Sequence, residues 1–597
     1  MTATARMLAT GTSVGAPAFW PASGRASPRD AVVAPRRRSP HHSAPNARSS
    51  TSRKETPGPG APGAGPNPAR SSARSPAKQA SRGHTAAASA PSPRRLAISS
   101  AYVLLPVYYA VLGTLALYGL HRLVLLLVLR VSRSSVAGEE GGADSPDVQD
   151  SAQEEFVWPL VTVQLPIYNE RYVAPRLIAA VLNFDYPADR LEVQILDDST
   201  DDTADRVEAE LARASGRNRP LPLIRHLRRE NRQGFKAGAL AAGLDQARGE
   251  LIAIFDADFV PEPDFLRRTV PAFRDPGLGM VQACWGHMNR KDSLLTRAQA
   301  VLLDGHFLVE QAARYQAGCF FNFNGTAGVW RRRAIEDAGG WQVDTLTEDL
   351  DLSYRAQLVG WRFRLMTDLA VLAELPARVN DFKSQQHRWA RGSAQTMRKL
   401  LGRILRSAVK PRVKLAAVAH LTSGICYPLL VALGLLLLPA ILERQESPHL
   451  LLWIDAPLFL LGTVAVAGCY AAGQQRAGRR GSRFWFEVPL AMSIGIGLSL
   501  SNSAATISGL LRRGGVFART PKIPAAAGNP PALYRSGAVW SLWGEATLAL
   551  YFWVCVAAAG LYGRWWSLPF LYLFAQGYSL IALGGALPRL GRRAQTT

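Results

Sequence analysis

The sequence predicts an α/β domain inserted in an α-helical transmembrane region, and three observations carry that expectation. Between about residues 157 and 400, short apolar strands (LVTVQLP, LEVQILDD, LIAIFDAD, GMVQACW) alternate with helical stretches such as TADRVEAELARA from Thr203. That rhythm predicts a largely parallel sheet covered on both faces. Long apolar runs crowd the C-terminal third, and one more precedes the α/β segment. The net charge of +24 is not pooled on a folded domain: fourteen Lys/Arg lie before Arg95 in a segment without periodicity, and others flank the apolar runs. Such flanks mark the cytoplasmic side of a membrane, so the charge points away from nucleic acid.

Residues 1–95 are rich in Ala, Pro, Ser, Gly and Arg with few aliphatics, a composition expected to stay disordered. The N-terminal membrane helix is placed at 96–131. Its apolar stretch from Ile98 to Leu120 is long enough to span, and the sequence after His121 and Arg122 is expected along the interface. An acidic Gly/Ser-rich linker follows at 132–156, then the α/β domain at 157–400. The C-terminal membrane region, 401–597, offers spans near 414–440, 451–472, 538–561 and 566–586. The run 484–511 differs. Arg476, Arg479, Arg480 and Arg483 precede it, Arg512, Arg513, Arg519 and Lys522 follow, and its middle is polar around Asn502. Basic flanks at both ends predict an interfacial helix that does not cross. Glu443–Glu446 would then face outward and Arg589, Arg592 and Arg593 inward.

The five cysteines are scattered without metal-ligand spacing, so neither disulfides nor a Cys-bound metal organise the chain. Chemistry is expected at strand ends, where parallel sheets bind ligands. Asp256-Ala257-Asp258 follows LIAIF directly, and two carboxylates so spaced can reach a divalent cation that holds a diphosphate. Taken alone the triplet is weak, because a solvated acidic turn has the same sequence. Asp197-Asp198 ends an earlier strand. One of Asp198 and Thr200 can cap the next helix while Asp197 accepts from a base or ribose. Thr347-Glu348-Asp349 opens a helix where acids suit the positive end, and where a carboxylate could also take a proton from a hydroxyl. Gln385-Gln386-His387-Arg388-Trp389 fits Q-x-x-R-W, a rarer pattern suited to diphosphate recognition and sugar stacking; an ordinary helix start with a core tryptophan is the alternative.

In this order and spacing, QLPIYNE (164–170), LDDSTD (196–201), ENRQGFKAGAL (230–240), FDADFVPEPDFLRR (255–268), FNGTAGVWRR (323–332) and QQHRW make the segment 161–398 resemble a family-2 glycosyltransferase domain. It is similar to processive enzymes of the cellulose synthase superfamily, above all plant cellulose-synthase-like A and C proteins. The resemblance implies a GT-A-type, Rossmann-like mixed sheet on the cytosolic side of a multi-pass protein in a plasma, inner or Golgi-type membrane. It implies that Tyr168, Glu170 and Asp197 hold the nucleoside and that Lys236 contacts the diphosphate. Asp256 and Asp258 would handle the nucleotide sugar with Mg2+ or Mn2+, Asp258 as the better metal ligand. Asp349, beside Glu348, would be the general base, and Gln385, Arg388 and Trp389 would bind the diphosphate and acceptor end. Phe323, Asn324, Gly325 and Thr326 occupy an acceptor motif that reads FFCGS in cellulose synthases; Asn324 in place of Cys counts against cellulose as product. FARTPK at 517–522, with Thr520 and Lys522, resembles a gating loop within 514–525 that must lie on the cytosolic side.

The implied activity is processive, inverting transfer of hexose from GDP-mannose or UDP-glucose to a growing β-linked, 1,4-type glucan, mannan or glucomannan. Lipid bilayer, donor and polymer are then the partners, with no nucleic acid. A non-processive glycolipid synthase and an inactive membrane scaffold are the competing readings. Trp540, Trp543, Trp553, Trp565 and Trp566 are candidates to line a polymer channel or, equally, to anchor helices at the interface.

Overall fold

The computed structural model describes residues 93–139, 156–216, 219–443, 449, 451–479, 481–515 and 541–593. The tail expected at 1–95 falls outside the described residues except for its last three. Trp540 and almost all of the expected gating loop, including Thr520 and Lys522, also lie outside them.

Eight strands form one mixed sheet: β1 (Val161–Ile167), β2 (Leu191–Asp197), β3 (Leu223–Arg228), β4 (Leu251–Ile254), β5 (Phe259–Val260), β6 (Leu278–His287), β7 (Gly328–Arg331) and β8 (Arg362–Ala373). Their order is β3-β2-β1-β4-β7-β6-β8-β5. The first four are parallel, β7 runs antiparallel to β4 and β6, β6 and β8 are parallel, and the two-residue β5 is antiparallel to β8. Four of these strands are the apolar runs singled out above; β3, β5, β7 and β8 are additional. The helices of the domain are α2 (Ala174–Val181), α3 (Thr203–Ser215), α4 (Phe235–Gln246), α5 (Phe265–Thr269), α6 (Leu294–Gly305), α7 (Ala312–Gln316), α8 (Arg332–Asp337), α9 (Glu348–Leu358) and α10 (Val379–Arg406), all after the long α1 (Pro93–Glu139).

Two apolar cores flank the sheet. One joins Leu177, Ile178 and Val181 of α2 and Val207 of α3 to Val163, Val193 and Phe255. Fully buried aliphatic and Phe side chains of this kind contribute about 1.5–3 kcal/mol each. The other gathers Leu240 of α4, Ile252, Trp330 and Leu352, and takes in Leu125 and Leu129 of α1. The membrane helix is thereby fastened to the domain through the domain's own core.

Among the described residues, five helices are long and apolar enough to cross a membrane: Val103–Val131, Pro411–Glu443, Leu452–Arg476, Leu542–Leu561 and Trp565–Ala586. The first reads straight through His121 and Arg122, where an interfacial turn-off was expected, because Arg122 is paired 3.1 Å from Glu310 and the charge need not break the span. α1 also continues to Glu139, eight residues into the expected linker.

The run 484–511 is two helices, Phe484–Gly497 and Ser499–Leu511, bent by 48° at Leu498. The break has local causes. Gly497 lies so close to Gly577 that a Cβ would meet its carbonyl at 2.2 Å, and Ser503 Oγ donates to the carbonyl of Ser499, a bond that bends helices. Trp543, Trp565 and Trp566 stand at the ends of their helices and are 65–89% exposed, as interfacial anchors would be, whereas Trp553 is near the middle of Leu542–Leu561 and is 44% exposed.

Candidate active site

β1, β2 and β4 end at one cleft, the position at which open α/β sheets bind ligands. Tyr168 and Glu170 enter it from the turn after β1. Asn169 between them takes a left-handed φ of 54°, fixed by its backbone N–H donating to Ser199 Oγ at 2.9 Å and by its side-chain oxygen accepting from the N–H of Thr200 at 2.8 Å. The Arg232 guanidinium stacks 3.3 Å above the Tyr168 ring centroid. At the end of β2 the two aspartates part. Asp197 is buried, accepts from the Ser199 N–H at 2.8 Å and pairs with His226 Nε2 at 3.0 Å. Burial opposes its charge, but the bonds from His226 and Ser199 win and hold its carboxyl below the usual range. Asp198 is the member that lines the cleft, gripped by Arg229 at 2.8 and 2.5 Å.

The next wall is built by α4 and the turn after β4. Gly234, at φ 72°, opens α4 and sets Lys236 in its first turn, from which Nζ donates to Asp256 Oδ1 at 2.5 Å and to the Gly325 carbonyl at 2.8 Å. Asp256 is further fixed by its N–H donating to Thr326 Oγ1 at 2.9 Å, and Asp258 lines the same cleft. Of the acceptor-motif residues, Asn324 and Gly325 face the cleft. Phe323 and Thr326 are fully buried, the phenyl ring packing edge-on against Trp330. Gly325 is required there. Its φ is +82°, and a Cβ would stand 3.0 Å from Asp349 Oδ2 and 3.4 Å from Lys236 Nζ.

Glu348 and Asp349 form the first turn of α9, with Leu350 N–H donating to Asp349 Oδ1 at 2.8 Å. Burial pushes both carboxyls up. The neighbouring Glu348 charge adds to the effect on Asp349, Lys236 opposes it, and Asp349 comes to about 7. Gln385, Arg388 and Trp389 close the cleft from α10, and Trp389 lies 6.3 Å from Trp285, centroid to centroid. One cleft thus brings together Tyr168, Glu170, Lys236, Asp256, Asp258, Asn324, Gly325, Glu348, Asp349, Gln385, Arg388 and Trp389.

Sequence reasoning gave Asp198 or Thr200 a capping role and the ligand role to Asp197, and it passed over Arg232, Trp285, His287 and Glu374; Asp198 and these four line the cleft. The strand-end rule could have found Trp285 and His287, because both end β6. Glu374 directly follows the apolar end of β8, LAVLA at 369–373, a run the sequence reading left unassigned.

Asp256 and Asp258 suit a divalent cation. Mg2+-type sites commonly take only one or two protein carboxylates and complete their shell with substrate phosphates and water.

Residues 159–392 match the family described as glycosyltransferase like family 2. Glucomannan 4-beta-mannosyltransferase 2 of Arabidopsis thaliana is 48% identical over 257 residues, 42% of this chain and 47% of that one. Probable glucomannan 4-beta-mannosyltransferase 3 of Oryza sativa subsp. japonica is 34% identical over 453 residues, 72% of this chain and 78% of that one. With several such relatives the chain spans about half of their length. The solved mannosyltransferase PcManGT from Pyrobaculum calidifontis, in complex with GDP-Man and Mn2+, superposes with a TM-score of 0.46 at 21% identity, over 68% of this chain and 99% of that one. With its motifs gathered in one cleft and a rice relative matched over most of its length, the chain belongs to the family-2 glycosyltransferases, together with the plant glucomannan 4-beta-mannosyltransferases.

Proposed function

We propose that this protein is a membrane-embedded, cation-dependent, inverting and processive hexosyltransferase that extends a β-linked, 1,4-type polysaccharide from a nucleotide sugar. The observation that carries the reading is Asp349, a buried carboxyl of about 7 set at a helix start in the same cleft as Lys236, Arg388 and Trp389. A base with that affinity for protons is matched to work near neutral pH. The relatives' names make mannose the first sugar to test, with GDP-mannose against UDP-glucose as donors.

In this reading Tyr168, Glu170 and the Asp198–Arg229 pair receive the nucleoside, and Lys236 and Arg388 face the diphosphate. Asp256 and Asp258 would hold the cation, which supplies positive charge to the departing diphosphate. Asp349 removes the proton of an acceptor hydroxyl, and the oxygen attacks the anomeric carbon from the side opposite the leaving group. The bond from that carbon to the diphosphate oxygen breaks, the nucleoside diphosphate leaves, and an α-linked donor gives a β-linkage. Trp389 and Trp285 offer ring faces to the acceptor.

The test is Asp349→Asn in purified full-length protein. Transfer should fall about 10²–10⁴-fold, the usual share of a general base, while donor binding stays within a few-fold. Loss of donor affinity in proportion to turnover would remove Asp349 from the base role. The length of the product separates polymer synthesis from transfer of one sugar to a lipid.

A further inference from the structure

We propose that Glu374, held by Arg176, reads the hydroxyls of the acceptor's terminal sugar and so sets which chain ends this enzyme extends; this rests on the transferase reading above. Glu374 lines the same cleft as Asp349, Trp285, His287 and Pro376, and it follows Ala373, the β8 partner of His287 at the end of β6. It directly follows β8. There β5 and β8 pair Phe259 with Ala373 and Val260 with Leu372, so one further step in that register sets Glu374 across from Asp258.

The backbone under it is unusually well fixed for a strand end. Met288 N–H donates to the Ala373 carbonyl at 3.0 Å, and Leu375 exchanges two bonds with the Asn289 side chain at 2.8 and 2.9 Å. Gln299 Nε2 donates to the Pro376 carbonyl at 2.8 Å. From α2, Arg176 Nη1 donates to Glu374 Oε1 at 2.8 Å, and the Glu374 side chain is 17% exposed. A carboxylate held this firmly at the edge of a cleft is a preorganised acceptor for hydroxyl groups, and charge-assisted bonds are the strong ones.

Chemistry favours the acceptor sugar over the donor. The charges that suit a diphosphate, Lys236 and Arg388, come from α4 and α10, whereas Glu374 is a carboxylate already paired with Arg176 and suits the uncharged hydroxyls of a sugar. The Trp285 and Trp389 rings beside it supply the stacking faces that a sugar takes. A site built to pair a substrate hydroxyl discriminates strongly against an analogue that lacks it.

The experiment uses full-length protein in detergent with GDP-mannose or UDP-glucose, whichever the parent turns over. Acceptors are β-1,4-mannohexaose, cellohexaose and analogues deoxygenated at position 2, 3 or 6 of the terminal residue. Glu374→Gln keeps the volume of the side chain and removes its charge. It should lower kcat/KM for the intact acceptor by about 10- to 100-fold while GDP or UDP affinity and donor hydrolysis to water stay within about twofold. The parent should reject at least one deoxy acceptor, and Glu374→Gln should lose that discrimination, which a merely structural role would not move. Arg176→Leu, at a 39% exposed side chain, should raise the acceptor KM more than it lowers kcat. An unchanged acceptor preference in Glu374→Gln overturns the assignment, and so does a parallel loss of donor affinity. A parent protein that transfers no sugar from either donor overturns the transferase reading, and this inference with it.

Discussion

Burial, with the Glu348 charge beside it, pushes the Asp349 carboxyl up to about 7, and both rate and stability should follow its charge. Only the ionised form accepts a proton, so turnover should decline as pH falls through about 7. The Glu348 charge adds to the elevation, so Glu348→Gln should move that acid limb to lower pH in a kcat–pH profile; a limb that stays put would show that Glu348 does not act on Asp349. The stability effect has the opposite pH sense. A fold that favours the protonated carboxyl is stabilised below the unfolded value near 3.8 and loses that stability as pH rises through 7. Asp349→Asn should therefore melt higher than the parent at pH 8, by a few degrees on the order of magnitude of such substitutions, and the gap should close at acid pH. The aspartates of the D-x-D turn give a separate prediction. Chelation by EDTA should abolish transfer, Mn2+ or Mg2+ should restore it, and Asp258→Asn should blunt the restoration. At this scale the sequence was a good guide to which segments meet and a poorer one to which atom of a segment faces the cleft. Asp197 and Asp198 are neighbours of one type, and it is the Ser199 N–H at 2.8 Å and the His226 ring at 3.0 Å that hold the former inward. Phe323 and Thr326 likewise sit inside a recognisable motif yet serve the core.

Among the elements, α10 joins the chemistry to the membrane region. Its first turns carry Lys383, whose ammonium lies 2.5 Å from Glu545 in the Leu542–Leu561 helix, with both side chains at most 2% exposed. Ser541 Oγ donates to the same carboxylate at 3.1 Å, and Asn380 donates to the Gly585 carbonyl at 3.2 Å. Gln385, Arg388 and Trp389 follow within two turns, so the tilt of the cleft's roof is set by this clamp. Removing one member strands a buried charge, at a cost of about 3–5 kcal/mol, whereas replacing both by apolar residues is commonly near neutral. Lys383→Met should thus melt well below the parent, and Lys383→Met with Glu545→Leu should recover most of the loss. A double variant as unstable as the single would show that the pair does not act as a unit. Neither residue was legible as a partner of the other, because a lone Lys in a helix and a lone Glu in an apolar run lie 162 positions apart. The strands β1, β2, β4 and β6 were legible because burial on both faces leaves continuous apolar runs. β8 was not, because its alternation loses phase at Met366–Asp368, where the pairing with β6 also shifts register, and its first half carries Arg362, Arg364 and Asp368.

In the whole molecule, the side on which the chain after Leu511 emerges, relative to the catalytic domain, turns on the bent pair at 484–511. Glu487 at its start pairs with Arg290 at 2.5 Å, the Ser501 carbonyl meets His387 Nδ1 at 3.1 Å, and the Leu510 carbonyl accepts from Arg398 at 2.9 Å. Just beyond, Gly514 N–H donates to the Asp344 carbonyl at 3.2 Å. A straight crossing helix of this length would carry its far end about 40 Å away from the domain. Instead the pair touches the domain at its start, middle and end, an arrangement that agrees with the basic residues on both flanks. With the five apolar helices crossing and the pair not, residues 157–400, both flanks of the pair and the C-terminal end are expected on one side, and the turn around Gly563 on the other. Single cysteines at Asp189, Ser482, Arg513 and Gly563, in a background with the five natural cysteines replaced by alanine, should report this to a membrane-impermeant maleimide in sealed vesicles. The first three should label from the face that holds the domain, and the fourth only from the opposite face. Opposite labelling at 482 and 513 would make the pair a true span. The chain that follows Gly515 would then start on the side away from the cleft, and no segment between 516 and 540 could close over the donor.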